Sequence, residues 1–288
     1  MLIVTGANGK LGRLVVEALL NRVPAAQVGV SVRDPEKARE LEARGVRVRR
    51  GDYNDAASLA SAFEGASRVL LVSSSDTGGE TMRQHRAAID AARAAGARRI
   101  FYTSHVGSSP TSPFAPMVDH AATEAMLRAS GVAFTSLRNG FYAGSAMFML
   151  GDALTTGELA APEDGPVSWT SHPDLAEATA RLMSEEGPSE SATIDLTASE
   201  AIDLTAIAAI ASELGGRPVR RVVVPDAEYR ASLVAKGFPE ARAEMFLGLF
   251  AASRQSQFAR VDPTLARLLG RPPMRFRDVL QASLSTPR

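Results

Sequence analysis

The sequence predicts an α/β protein with a doubly wound parallel sheet, helices on both faces, and a smaller, mainly helical C-terminal region. Three features carry that prediction. A glycine-marked turn follows the first apolar run, strand-like and helix-like segments alternate to about residue 140, and that first run, Leu2-Ile3-Val4, lacks the in–out alternation of a sheet with one wet face. Leu2, Ile3 and Val4 form the first strand, Gly6, Gly9 and Gly12 mark the turn, and Leu11, Leu14, Val15, Ala18 and Leu19 recur at helical spacing behind it. Further strands are expected at 28–32, 46–50, 68–72, 99–103 and 133–137. Between them, helices are expected at about 35–44, through Leu59, Ala62 and Phe63, at about 80–95 with a stop at Gly96, and at 118–130 with a stop at Gly131.

Beyond Gly144 the elements become shorter. Ser171-His172-Pro173-Asp174 opens a helix whose face carries Leu175, Thr179, Leu182 and Met183, and 193–196 reads as a strand. Asp203 caps a helix that Gly215-Gly216 ends, 219–224 is strand-like, and the remainder is expected to be mostly helical to Arg288. The expected organisation is a dinucleotide-binding domain over 1–144 and a substrate or lid region over 145–288. No linker separates them, so the boundary is soft and the two parts interweave.

Composition narrows the chemistry. A chain of 288 residues can bury a substantial core, and the absence of cysteine excludes thiol nucleophiles, thiolate metal sites and disulfides. Redox chemistry therefore requires a bound cofactor. With 32 basic and 32 acidic residues, no global field attracts nucleic acid or an anionic membrane. No apolar run approaches the roughly 18 residues of a membrane span, and the first strand at Leu2 leaves no space for a signal peptide, so a soluble cytoplasmic protein is expected. Asp119, His120 and Glu124 match no metal signature, and no Gly-x-Ser-x-Gly elbow suggests a hydrolase.

The glycine turn suits a dinucleotide. Gly6 lets the chain leave the strand sharply, Gly9 removes a Cβ from the path of a pyrophosphate, and Gly12 lets the helix pack closely. The phosphates would rest at the helix N-terminus, on free N–H groups and the positive end of the dipole. Arg33 stands where the ribose is read, and a cation there accommodates a 2′-phosphate, with Lys37 or Arg39 assisting. This favours NADP(H) over NAD(H). Asp34 beside it either contacts the ribose or caps the next helix, and Asp52 either touches the adenine end or simply makes a turn. Ser73, Ser74 and Ser75 end a strand where a crevice would run, and His85 is structural or cofactor-adjacent. The loop with Pro110, Pro113 and Pro116 is expected to rim the substrate.

With these residues placed, the chain resembles the NmrA-like group of the atypical short-chain dehydrogenase/reductase superfamily, which includes bacterial quinone-reducing members. The likeness rests on Thr5-Gly6-Ala7-Asn8-Gly9-Lys10-Leu11-Gly12, Val32-Arg33-Asp34-Pro35, Leu71-Val72-Ser73-Ser74-Ser75, Tyr102-Thr103-Ser104 and Leu137-Arg138-Asn139-Gly140-Phe141-Tyr142. It covers most of residues 1–185 and fades beyond. The resemblance implies a Rossmann fold with NADP(H) held by Gly6, Ala7, Asn8, Gly9, Lys10, Leu11 and Arg33. Ser73, Ser74 and Ser75, together with Asn139, Gly140, Phe141 and Tyr142, would border its nicotinamide half.

The superfamily's Tyr-x-x-x-Lys pair is absent, because Pro116 and His120 stand in its two places. A ketone reductase needs a proton donor for its alkoxide, whereas a quinone yields a stabilised phenolate and needs less help. The expected activity is hydride transfer from NADPH to a quinone or similar small electrophile. His120 would serve as donor, with Ser104 or Tyr142 orienting the acceptor oxygen; alternatively, His120 and Glu124 pair on an exposed helix face. A catalyst needs an apolar cleft, lined by Phe141, Tyr142, Phe148 and Trp169 unless these are ordinary core. Two other readings stay open: a redox-sensing regulator that binds NADP(H) and acts through a protein partner, and an isomerase or reductase of larger substrates. The expected partners are the small-molecule acceptor and, as an allowed assembly, a second copy in a homodimer.

Overall fold

A computed structural model describes residues 1–185 and 190–285. Its strands are β1 Leu2–Thr5, β2 Val28–Val32, β3 Arg47–Arg50, β4 Arg68–Leu71, β5 Arg99–His105, β6 Ala133–Asn139, β7 Glu158–Ala161, β8 Ala192–Leu196 and β9 Arg220–Val223. The helices that cover the sheet and follow it are α1 Lys10–Leu20, α2 Arg39–Ala43, α3 Ala56–Phe63, α4 Gly79–Ala94, α5 Ala115–Ala129, α6 Ala143–Leu150, α7 Ala153–Thr156 and α8 His172–Ser184. The C-terminal helices are α9 Leu204–Gly215, α10 Asp226–Ala235, α11 Glu240–Arg254, α12 Thr264–Leu269 and α13 Phe276–Ser285. The expected continuation to Arg288 runs into residues 286–288, outside the described residues.

Seven strands form one parallel sheet in the order β3-β2-β1-β4-β5-β6-β8. Alternation along β1 sends its side chains to opposite faces. Leu2 and Val4 join the core under α1 and α8, while Ile3 joins the core under α3, α4 and α5. The chain winds from β1 out to β3, then crosses back to β4 on the other side of β1. The strand order therefore reverses between β1 and β4, and a crevice opens there beyond the strand ends.

Two strands run longer than their sequence suggests. β5 continues through Ser104 and His105, and β6 through Arg138 and Asn139, because they pair with each other to the last residue and β6 pairs with β8 as far as Leu196. Ser104 and His105 are consequently strand residues, not the start of a loop. The segment expected as one helix after Arg33 divides into a 3-10 turn, Pro35–Ala38, followed by α2. The short β7 gave no apolar run; it pairs in parallel with β9 in a separate two-stranded sheet.

A third core gathers α6, α7, α9, α11 and α13 around Trp169, Phe250, Phe258 and Phe276. Asp174, fully buried in the first turn of α8, ties this region to the sheet. Its carboxylate accepts from the Ser171 hydroxyl at 2.7 Å, Arg271 at 2.8 Å and the Met274 backbone N–H at 2.7 Å. Among the described residues no helix is long and apolar enough to cross a membrane.

Candidate active site

The glycine turn is closed by its own backbone. Gly6 leaves β1 at φ +62°, donates to the Ser31 carbonyl at 3.1 Å and accepts from Gly9 N–H at 2.9 Å. A Cβ at Gly12 would lie 2.5 Å from the Gly6 carbonyl oxygen and 2.8 Å from its carbon, so α1 packs directly on the turn. Gly9 caps α1 without a side-chain hydrogen bond, which leaves the first N–H groups of an eleven-residue helix free for an anion.

Gly6, Asn8 and Gly9 line a crevice of about 700 Å³ together with Arg33, Lys37 and Ser73 to Ser75. Tyr53 floors it, its hydroxyl donating to the Val72 carbonyl at 2.7 Å and lying 2.6 Å from Thr5 Oγ1. Asp34 accepts from the Glu36 N–H at 3.2 Å as a helix cap, and Asn8 donates to the Asp34 carbonyl at 2.8 Å. Lys37 Nζ stands 3.6 Å from the Asp34 carboxylate, and the exposed Arg39 pairs with Glu36. Arg33, also exposed, has no ion-pair or hydrogen-bond partner among the described residues. The rim thus carries an uncommitted guanidinium beside a committed carboxylate. Asp52 shapes a turn by accepting from Asn54 N–H at 3.0 Å while still lining the crevice.

The serine loop is held from behind. Ser73 N–H donates to Thr103 Oγ1 at 2.8 Å, Ser74 N–H to His85 Nε2 at 2.9 Å, and the Ser74 hydroxyl bonds Gln84. His85 therefore carries its proton on Nδ1, which lies 2.8 Å from Thr123 Oγ1. It is 1% exposed, and burial pushes its pKa down to about 3. Its place is structural: it fixes the serine loop that lines the crevice.

The Asn139–Tyr142 segment lies at the far end of β6. A Cβ at Gly140 would meet Thr170 Oγ1 at 2.2 Å, so only glycine lets this segment lie against the 168–170 strip. Tyr142 packs on His172 with ring centroids 4.3 Å apart and the planes tilted by 38°. Burial and the nearby Lys10 charge push the His172 pKa down to about 4. Phe141 touches Trp169, Phe258 and Phe114 in a buried aromatic cluster. Trp169 is 3% exposed and donates Nε1–H to the Ile202 carbonyl, so it is core. Phe148, 61% exposed, stacks on Phe246 instead of joining Phe141.

Behind this segment the catalytic expectations meet other partners. Ser104 is buried and donates to Glu124 at 2.7 Å, facing α5 rather than the crevice. Glu124, 1% exposed, also accepts from Ser136 at 2.8 Å and from Arg138 at 2.9 and 2.6 Å. The exposed His120–Glu124 pair does not form; helix rotation turns Glu124 into the sheet. His120 Nδ1 lies 2.7 Å from the hydroxyl of Tyr102, whose pKa burial raises far above the usual phenol range. Burial pushes the His120 pKa down to about 4, so its imidazole is neutral near pH 7 and offers hydrogen bonds rather than a stored proton. Sequence reading passed over His105 and Arg138, and read His172 only as part of a helix start. The signals available were a histidine directly after Tyr-Thr-Ser and one in Ser-His-Pro-Asp.

Fold and crevice together define a dinucleotide-binding protein of the Rossmann class. The sequence profile of the NAD(P)H-binding family matches residues 6–185. The chain is 37% identical to quinone oxidoreductase 2 of Escherichia coli, over 94% of each chain, and 32% identical to an NmrA-like family domain-containing oxidoreductase of Aspergillus flavus, over 98% and 94%. A crystal structure of the Escherichia coli NADPH-dependent quinone oxidoreductase complexed with NADPH superposes with a TM-score of 0.93 at 35% identity, covering 99% of this chain and 100% of that one. The chain belongs to the NmrA-like group of the NAD(P)H-binding family.

Proposed function

We propose that this protein is an NADPH-dependent oxidoreductase that reduces quinones or similar small electrophiles in the cytoplasm, with a homodimer as an allowed assembly. The observation that carries the reading is the crevice at the strand ends, where the glycine turn faces an Arg33 guanidinium with no partner among the described residues, in a chain 37% identical to a quinone oxidoreductase; His105, His120 and His172, their pKa values depressed by burial, add neutral imidazoles. A site furnished with neutral imidazoles suits an acceptor whose reduced form is already a stabilised anion. Relatives named as oxidoreductases favour turnover over the regulator reading.

NADPH, when bound, supplies a hydride, and a quinone takes it with one proton to become the hydroquinone. Gly6, Gly9 and the free N–H groups at Lys10 and Leu11 would hold the diphosphate, and Ala7 and Asn8 would shape the turn around it. Arg33, with Lys37, would hold the 2′-phosphate. Asn139 fits the nicotinamide end: it is 1% exposed, and apart from a contact with the Tyr142 side chain its amide is left without hydrogen-bond partners among the described residues. Ser73 to Ser75, Gly140 and Tyr142 would complete that border, and the Phe141 cluster would exclude water. His120, tied to Tyr102, would orient hydrogen bonds there, with Ser104 acting from behind through Glu124.

Arg33→Ala is expected to weaken NADPH binding by about ten- to a hundredfold, the scale of a charge-assisted hydrogen bond, and to leave NADH nearly unchanged. Titration of each cofactor by fluorescence checks this, and equal weakening of both would remove Arg33 from the 2′-phosphate site. The function itself is tested by NADPH oxidation with 1,4-benzoquinone or 1,4-naphthoquinone, corrected for the nonenzymatic rate and repeated with NADH. Quinone-dependent turnover that prefers NADPH is expected. NADPH binding without turnover on either quinone would restore the regulator reading.

A further inference from the structure

His105 is the last residue of β5 and stands in register with Asn139, the last residue of β6. Its Nδ1 accepts the Gly107 N–H at 3.0 Å, which requires the ring proton to sit on Nε2. That Nε2–H is buried and has no acceptor among the described residues, although the residue is only 8% exposed. The ring is boxed edge-on by Phe141 at 5.0 Å and Phe258 at 5.4 Å, with His120 stacked at 6.2 Å. Even the neighbouring backbone is pressed close, since a Cβ at Gly107 would lie 2.6 Å from the Phe258 ring.

A buried donor without a partner is costly, and the under-satisfied Asn139 amide beside it on the neighbouring strand adds to the demand for partners. Both sit at the strand ends where an open parallel sheet binds its ligands. A planar molecule with a carbonyl oxygen suits the single fixed donor and its aromatic surroundings, and it would reach Nε2–H by displacing Phe141 or Phe258, because the two rings seal that nitrogen. The alternative tautomer is blocked by Gly107, so the ring cannot turn into an acceptor without breaking that bond.

We propose that His105 Nε2–H is the donor that recognises the carbonyl oxygen of the acceptor, making His105 a specificity-determining residue for oxygen-bearing aromatic electrophiles. This assignment rests on the oxidoreductase reading above. The hydrogen bond strengthens as the oxygen gains negative charge during reduction, so it selects quinones over hydrocarbons of the same shape.

The test uses the NADP⁺-loaded protein, in which an oxidised quinone binds without reacting. Trp169 is the only tryptophan in the chain and lies 5.4 Å from Phe141, so its fluorescence reports occupancy of the site. Affinities for 1,4-naphthoquinone and for naphthalene are measured on wild type, His105→Leu and His105→Gln. His105→Leu should weaken naphthoquinone about five- to tenfold, the scale of one neutral hydrogen bond, and leave naphthalene within about twofold. His105→Gln, which keeps an N–H near the Nε2 position, should regain most of the loss. Equal losses for both ligands, no loss for either, or a wild type that binds no naphthoquinone would overturn the assignment. Naphthoquinone that binds in the expected pattern without NADPH-driven turnover would overturn the oxidoreductase reading alone.

Discussion

Lowering the pH from 7 to 5 is expected to destabilise this protein by several kcal/mol. All four of its histidines in the interior or crevice, His85, His105, His120 and His172, have pKa values depressed by burial. The unfolded chain protonates them near the ordinary value of about 6.5, whereas the folded chain keeps them neutral well below that. Between those values the unfolded state binds more protons, so stability rises with pH and is lost as pH falls through the unfolded pKa. Counting only His85, whose pKa burial pushes down to about 3, gives roughly 2 kcal/mol at pH 5, and the well-buried His105 acts in the same direction. His120 and His172 are half-buried and add less. Asp164 and Asp195, raised by burial, work in the opposite sense. Urea unfolding at the two pH values checks the prediction, and equal midpoints with equal slopes would show that these imidazoles titrate alike in both states.

Glu124→Ala is expected to lower stability by about 3 kcal/mol, because it strands the Arg138 guanidinium and two serine hydroxyls that share one carboxylate. Arg138 retains some exposure, 28% of its side chain, which places the cost at the lower end of that for broken buried pairs. Glu124→Gln keeps the volume and one acceptor, so it should lose clearly less. Denaturant midpoints distinguish the two variants; a loss under about 1 kcal/mol for Glu124→Ala would mean that water replaces the carboxylate without penalty. Burial works against the Glu124 charge, yet hydrogen bonds from Arg138, Ser104 and Ser136 hold its carboxyl below the usual range, in keeping with this role.

How much of this site the sequence disclosed follows from how local each part is. The glycine turn, the free Arg33 and the serine loop lie within short segments, and local rules about turns and strand ends suffice to find them. Asp34 and Asp52 each carry two readings there; Asp34 caps Glu36, and Asp52 accepts from Asn54 while still lining the crevice. The acceptor half is different. His105 falls in a strand only because β6 pairs with it to the end, and β6 pairs in turn with β8, contributed by residues more than fifty positions later. Whether Glu124 faces water or sheet depends on how α5 rotates against β5 and β6, which spacing along one helix does not determine. The Tyr142–His172 contact beside Lys10 joins three segments with no sequence relation to one another.

The clasp at Asp174 has a consequence for the order in which the molecule comes into being. Arg271 and Met274 close on the first turn of α8 from almost a hundred residues away, and that turn bears the imidazole on which Tyr142 rests. A ribosome delivers the nucleotide turn first and this clasp nearly last. The sheet with its glycine turn can therefore assemble while the Tyr142–His172 contact is still unfinished, and only a chain synthesised past Met274 presents the two together.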